Sequence, residues 1–190
     1  MTKNILLVGV GGQGTILTSK IMSKGLLDAG YDVKMAEIHG MSQRGGSVTT
    51  QIRYGNKVYS PVIEKGTADI IVSFERSEAL RWIEYLKKDG ILILNEHQIQ
   101  PFTVTLDLSE YPGNLIEEYK KMVVNFKSYD AFQIAKSIGN SKVMSIILLG
   151  SLIKYTGLND IDWKKVIEES VPENFIDLNI EAFTKGYEVI

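Results

Sequence analysis

The sequence predicts an α/β fold: a mainly parallel, doubly wound (Rossmann-like) sheet with an added antiparallel hairpin and a helical last third. Three observations carry this. Residues 5–8 form an unbroken apolar run that ends in a glycine-rich stretch and leads into a helical pattern. Short apolar runs then alternate with helical stretches through the middle of the chain. After about residue 129 only helical patterns remain. A continuous apolar run suits a parallel strand covered on both faces, and right-handed crossovers make a doubly wound sheet the economical arrangement.

Taken in order, residues 5–8 are the first strand, and residues 9–14 break it. The first helix places Thr18, Met22, Leu26 and Ala29 on one face, and Gly30 stops it. Residues 31–38 read as the second strand. Val48, Thr50, Ile52 and Tyr54 alternate with Thr49, Gln51 and Arg53, the period of a half-exposed strand. Gly55 and Asn56 suit a tight turn, so residues 57–60 are expected to return as the second arm of a hairpin, with Pro61 at its end. Residues 68–74 are a buried strand, 75–87 a helix, 90–94 a buried strand, 103–108 a weaker one and 122–126 a further buried one. Helices follow over 129–138, 141–155 and 162–169, with Asp162 as the cap of the third, and a last one begins near Glu173. With 190 residues and no linker composition or repeat, residues 1–190 are expected to form a single domain.

Composition excludes several functions. Hydrophobic residues at 44% and charged residues at 23% are those of a soluble protein, and a net charge of −2 gives no general attraction to nucleic acid or an anionic membrane. There is no cysteine, so neither a disulfide nor a thiolate-ligated iron–sulfur cluster can belong to this chain. Two histidines, His39 and His97, make a histidine-rich metal site implausible. The longest apolar run, residues 143–153, is interrupted by Ser145, Gly150 and Ser151 and is too short to span a bilayer. No cleavable leader is recognisable at the start, so a cytoplasmic location is expected.

Two loops can carry chemistry. The first, Gly9-Val10-Gly11-Gly12-Gln13-Gly14, has the GxGxxG spacing between a strand and a helix. Such glycines allow a tight turn and close approach of an anionic group to free N–H groups at the helix start. Glu37 lies 23 residues after Gly14, near where a dinucleotide fold places its ribose-binding acid. The competing reading is that these glycines only let the helix pack on the strand. The second loop, His39-Gly40-Met41-Ser42-Gln43-Arg44-Gly45-Gly46-Ser47, is a poor core segment. It is a good cradle for phosphate or carboxylate, through backbone N–H groups and a guanidinium. The competing reading there is a mobile surface loop. His97 reads as an exposed loop histidine, Glu75 and Arg76 as a solvated helix start, and Trp82 and Trp163 as core or interface. The lysine pairs at 87–88 and 164–165 read as solvated faces.

The segments VGVGGQGTILTSKIM and AEIHGMSQRGGSVTTQIR, followed by VYSPVI, ADIIVSFERSEALR and GILILN, resemble the gamma-type segment of 2-oxoacid:ferredoxin oxidoreductases. The form IHGMSQRGGSV is most similar to the beta subunit of the indolepyruvate type, and the closing VPENFIDLNIEAFTKGYE is similar to the family's last helix. The resemblance implies a non-cluster subunit of an enzyme that converts an aryl 2-oxoacid and coenzyme A to acyl-CoA and CO2 while reducing ferredoxin. It implies a larger partner chain holding thiamine diphosphate and the iron–sulfur clusters, and no cofactor bound by this chain alone. It also implies inactivity in isolation, with self-association into a homo-oligomer when the partner is missing. Coenzyme A contact would fall to the two loops: Gly9, Gly11, Gly12, Gln13 and Gly14 in the first, and His39, Ser42, Gln43, Arg44, Gly45, Gly46 and Ser47 in the second. None of these is an acid, base or nucleophile by its surroundings. From the residues alone, a stand-alone NAD- or FAD-dependent oxidoreductase and a non-catalytic nucleotide-binding adaptor module share the same loops and stay open.

Overall fold

The computed structural model describes residues 2–40, 45–100, 105 and 110–190. Among the described residues, six strands form one sheet: β1 (Lys3–Val10), β2 (Asp32–His39), β3 (Ser47–Gly55), β4 (Ala68–Ser73), β5 (Leu86–Asn95) and β6 (Asn125–Tyr129). Their order is β2-β3-β1-β4-β5-β6. The pairs β1–β4, β4–β5 and β5–β6 are parallel, while β3 is antiparallel to both β1 and β2. Among the described residues, five strands thus share one direction and β3 alone opposes them. The helices are α1 (Thr15–Asp28), α2 (Glu78–Trp82), α3 (Leu115–Met122), α4 (Ala131–Ser137), α5 (Met144–Thr156), α6 (Trp163–Glu168) and α7 (Ile176–Glu188).

Side chains alternate across a strand, so β1 feeds two cores. Ile5 and Leu7 pack with Ile52, Val72 and Ile93 under α1, α5 and α7. Leu6 and Val8 pack on the other face with Ile71, Leu92, Leu94 and Tyr119 of α3. Helices therefore cover both faces, as the sequence predicts for a doubly wound sheet.

The hairpin is real but lies elsewhere than expected. β3 pairs with β2 across residues 40–46, and residues 57–60 form no strand. Nor is β3 half exposed. Thr49, Thr50 and Gln51 are buried beside Val48 and Ile52. The segment after the strand folds back over it: Ile63 N–H donates to Gln51 Oε1 at 2.6 Å, and Arg53 donates to the carbonyls of Ser60 and Val62 at 2.9 and 3.0 Å. Polar alternation here records Gln51 and Arg53 bonded to the backbone of residues 60–63 rather than a wet face.

Other boundaries move for local reasons. The helix expected over 75–87 shortens to α2 and a 3-10 turn, Ile83–Tyr85, because Leu86 and Lys87 already belong to β5. The strand expected over 122–126 is displaced to β6, an edge strand, with Met122 at the end of α3. Met122 and Val124 are exposed, so that apolar run is not a core strand. Tyr129 ends β6 rather than beginning a helix, and α4 starts at Ala131. The strand expected over 103–108 lies outside the described residues, Thr105 aside. Asp162 caps α6 as expected, its side chain accepting from Lys165 N–H.

The helical third is held by close helix contact. On α5, a methyl built on Gly150 would lie 2.2 Å from the Phe183 carbonyl oxygen; on α7, one on Gly186 would lie 1.8 Å from the Ile147 carbonyl oxygen. Ser151 Oγ donates to the Gly186 carbonyl at 2.6 Å and shares a 2.6 Å bond with the Tyr129 hydroxyl, tying β6 to the helix pair. Gly186→Ala forces these backbones apart and should cost at least about 2 kcal/mol, the scale of overpacking. Urea unfolding checks this, with Gly113→Ala as the control, since Gly113 has nothing within 4 Å of its added methyl. Equal midpoints for the two variants would refute the close contact.

Candidate functional site

The parallel strands end at one edge, and the two glycine loops meet there. Gly11 N–H donates to the Gly46 carbonyl at 2.9 Å, joining the first loop to the second. The first loop has a defined shape. Gly12 and Gly14 have φ of 98° and 89°, a region that side chains with a Cβ rarely adopt. Gln13 turns back: its Oε1 accepts from Val10 N–H at 2.7 Å, and its Nε2 donates to the Phe74 carbonyl at 2.9 Å. A methyl on Gly9 would lie 2.8 Å from Phe74 Cβ, and one on Gly14 would lie 2.7 Å from Ser145 Cβ. Gly9 and Gly14 therefore do serve packing, as the competing reading holds. Gly12 does not, because nothing lies within 4 Å of an added methyl there. Gly12 faces open space.

That space is a cleft of about 590 Å³, lined by Gly11, Gly12, Gly14, Thr15, Lys20 and His39 with apolar Ile16, Leu17 and Val48. Gly45, with φ 78°, and Gly46 bring the second loop back to β3, and Ser47 Oγ bonds Glu78. Burial pushes the Glu78 carboxyl above the usual carboxylate range, against the opposing pull of Ser47 and Arg81. Ser47 is thus turned to α2 rather than to the cleft. Met41, Ser42, Gln43 and Arg44 lie outside the described residues. Lys20 is a cation that loop motifs do not reveal; its signal is its position one and a half turns into the helix that follows the glycines.

Glu37 is not placed as a ribose-binding acid. Strand β3 stands between β1 and β2, and Glu37 accepts from Ser19 Oγ at 3.2 Å. That puts it two strand spacings from the glycine loop, roughly 10 Å.

Glu75 and His97 also differ from expectation. Glu75 is fully buried, not a solvated helix start. Its carboxylate accepts from Ser77 N–H and Oγ at 2.7 Å each, Glu78 N–H at 3.1 Å, Ile99 N–H at 3.2 Å and Tyr111 OH at 2.7 Å. Burial and this bond push the Tyr111 hydroxyl up to about 12. His97 is half-buried, stacked on Phe132 with ring centroids 4.0 Å apart, and lines a second cleft on the far side of the glycine loop. Of the two tryptophans, Trp163 is core, buried against Gly25, and Trp82 is half-buried beside Tyr85. No group of three or more metal-ligating side chains occurs among the described residues, and no helix there is long and apolar enough to cross a membrane.

Residues 4–189 match the family described as pyruvate ferredoxin/flavodoxin oxidoreductase. The chain belongs to that family. It is 41% identical over 190 residues to the indolepyruvate oxidoreductase subunit IorB of Thermococcus kodakarensis, covering 96% of this chain and 93% of that one. Its fold is similar to that of the pyruvate oxidoreductase subunit PORC of Thermotoga maritima, with a TM-score of 0.74 at 24% identity over 98% and 96% of the two chains. It is also similar in fold to part of a 2-oxoglutarate:ferredoxin oxidoreductase from Magnetococcus marinus, whose structure holds 2-oxoglutarate, coenzyme A and succinyl-CoA. There the TM-score is 0.72 at 18% identity, over 98% of this chain and 30% of that one. The family member described here is a subunit of a 2-oxoacid:ferredoxin oxidoreductase, and its likeness is to the indolepyruvate type.

Burial holds the His97 imidazole below its ordinary 6.5 despite Asp130 and Glu75 nearby. A depressed histidine pKa contributes stability that is present above about 6.5 and lost as the pH falls through the folded value. An NMR titration should place His97 below 6.5, and Phe132→Ala, which opens the stack, should move it back up. A wild-type value at or above 6.5 would show the ring to be solvated.

Proposed function

We propose that this chain is the small, cluster-free subunit of an enzyme that oxidatively decarboxylates an aryl 2-oxoacid of the indolepyruvate kind and passes the acyl group to coenzyme A, with electrons going to ferredoxin. The whole chain acts as one gamma-type domain in the cytoplasm. Thiamine diphosphate and the iron–sulfur clusters are assigned to a larger partner, since a chain without cysteine has no thiolate to offer a cluster. Alone, the subunit is inactive. The exposed apolar residues Ile16, Met35 and Ile38 on α1 and β2 suit cover by the partner, or by a second copy when the partner is missing.

The contribution assigned to this chain is to hold coenzyme A. The observation that carries it is the Gly11–Gly46 hydrogen bond, which sets the two glycine loops side by side on the 590 Å³ cleft. Backbone N–H groups at the start of α1 favour an anionic group, Lys20 adds a charge at the rim, and Ile16, Leu17 and Val48 offer an apolar wall. Arg44, from the second loop, supplies a guanidinium for a bidentate contact that lysine cannot copy. These groups bind and orient; none of them needs to accept or donate a proton.

Reconstitution with the larger chain tests this. A charge-assisted hydrogen bond contributes about 1.5–3 kcal/mol, roughly one to two decades in affinity. Lys20→Ala and Arg44→Ala should each raise the KM for coenzyme A about tenfold or more, with Arg44→Lys recovering only part. Thiamine content and cluster spectra should stay those of the unmodified complex. Unchanged KM values in assembled complexes would remove the coenzyme role from these loops.

A further inference from the structure

The second cleft, about 400 Å³, lies across the glycine loop from the first and shares Gly12, Gly14 and Leu17 with it. Its floor is Ser145, in the first turn of α5. Ser145 is 1% exposed, and its Oγ has no hydrogen-bond partner among the described residues. Buried hydroxyls are nearly always bonded, so an orphan lining a cleft calls for a ligand atom. The neighbouring polar atoms are already committed elsewhere: Thr18 Oγ1 donates to the Ser145 carbonyl at 3.1 Å, and Gln13 spans Val10 and Phe74.

Positive groups gather on one side of this hydroxyl, while the carboxylates of Asp130 and Glu75 lie near His97 on the other. The starts of α1 and α5 both border the cleft, through Gly14 and through Met144 and Ser145. Neither helix carries a side-chain cap or an acidic residue in its first turn. The start of α1 therefore presents the positive end of a helix dipole with nothing to offset it locally, whereas α5 continues from the turn Ser141–Val143, where the Asn140 side chain accepts from Lys142 N–H at 3.0 Å. Lys142 stands exposed at the rim and pairs with no carboxylate among the described residues. His97 adds an imidazole on the opposite wall.

We propose that this cleft is an oxyanion site of the phosphate class, with Ser145 Oγ donating at its floor, Lys142 supplying charge at its rim and the glycine loop closing one side. Donors arriving from the floor, the rim and the start of α1 suit a tetrahedral group with three or more oxygens better than a flat carboxylate. The occupant is free phosphate or the phosphate monoester of a larger molecule. The site goes beyond the coenzyme reading: it uses the other wall of the glycine loop and does not require Lys20, His39 or Arg44.

The test is a 1H–15N NMR titration of the full chain with inorganic phosphate, and separately with phenyl phosphate as a simple monoester. Saturable shifts at Gly12, Gly14 and Ser145 are expected with at least one of them, and whichever binds more tightly identifies the source. Ser145→Ala keeps a methyl against Gly14 and removes only the hydroxyl; it should weaken binding about tenfold. Lys142→Ala, at an exposed position with no structural partner to lose, should weaken it severalfold and serves as the second variant if Ser145→Ala does not fold. Absence of saturable shifts, shifts that neither variant changes, or shifts centred on Lys20 and His39 would each overturn the proposal. A complex in which Lys20→Ala raises the KM for coenzyme A while phosphate leaves the second cleft unperturbed would keep the coenzyme reading and remove this one.

Discussion

One carbonyl oxygen, that of Phe74, joins the parts on which the site depends. It accepts from Gln13 Nε2 in the glycine loop and from Asn95 Nδ2 at the end of β5, each at 2.9 Å. Asn95 Oδ1 in turn accepts from Ala131 N–H at 3.0 Å, where α4 begins. The residue's own N–H continues the ladder to the Val8 carbonyl at 2.8 Å. The ends of β1, β4 and β5 and the start of α4 thus share one junction in a nearly water-free place. Such a bond contributes only about 0.5–1.5 kcal/mol net, but leaving a buried partner unpaired costs about 1–3 kcal/mol. That asymmetry holds the glycine loop in one shape while Gly12 stays open to the cleft.

The reversed strand explains how the second loop reaches the first. If β2 lay next to β1, its trailing loop would start from a neighbouring strand end and be free to lead away from the sheet. Here β3 fills that place, so the chain must come back along the same edge, and Gly46 passes Gly11 within hydrogen-bond distance. The same insertion carries Glu37 outward to Ser19. One topological change therefore gives a second loop to the cleft and removes an acid that a dinucleotide site would use. Glu75, buried beneath the next loop, plays the corresponding part on the other side by gripping Ile99 and Tyr111.

Strongly periodic or strongly apolar segments were legible in the sequence. β1 with its glycine break, α1 up to Gly30, β4, the apolar α5 and the Asp162 cap follow from local residues, as does the pairing of the two loops at one sheet edge. What was not legible depends on distant partners. The alternation in β3 suggested a wet face because the cover over Gln51 and Arg53 comes from residues 60–63, which have no regular pattern of their own. Glu75 looked solvated because its donor Tyr111 lies 36 residues away. Helix α3 does leave a trace, with Leu115, Tyr119 and Val123 at steps of four and all buried, but the apolar run through Val123 and Val124 has the local pattern of a strand. Ser145 and Lys142 carry no motif at all; only the packing of α5 against Gly14 brings them to the glycine loop.

We propose that this subunit meets coenzyme A in the cleft beside the two glycine loops. Hydrogen–deuterium exchange on the reconstituted complex, with and without coenzyme A, tests it without any substitution. Peptides spanning residues 9–20 and 39–48 should exchange more slowly when coenzyme A is added, while those from α3 and β6 on the far side of the sheet should not change. Protection confined to the larger chain, with both loops exchanging as before, would contradict it.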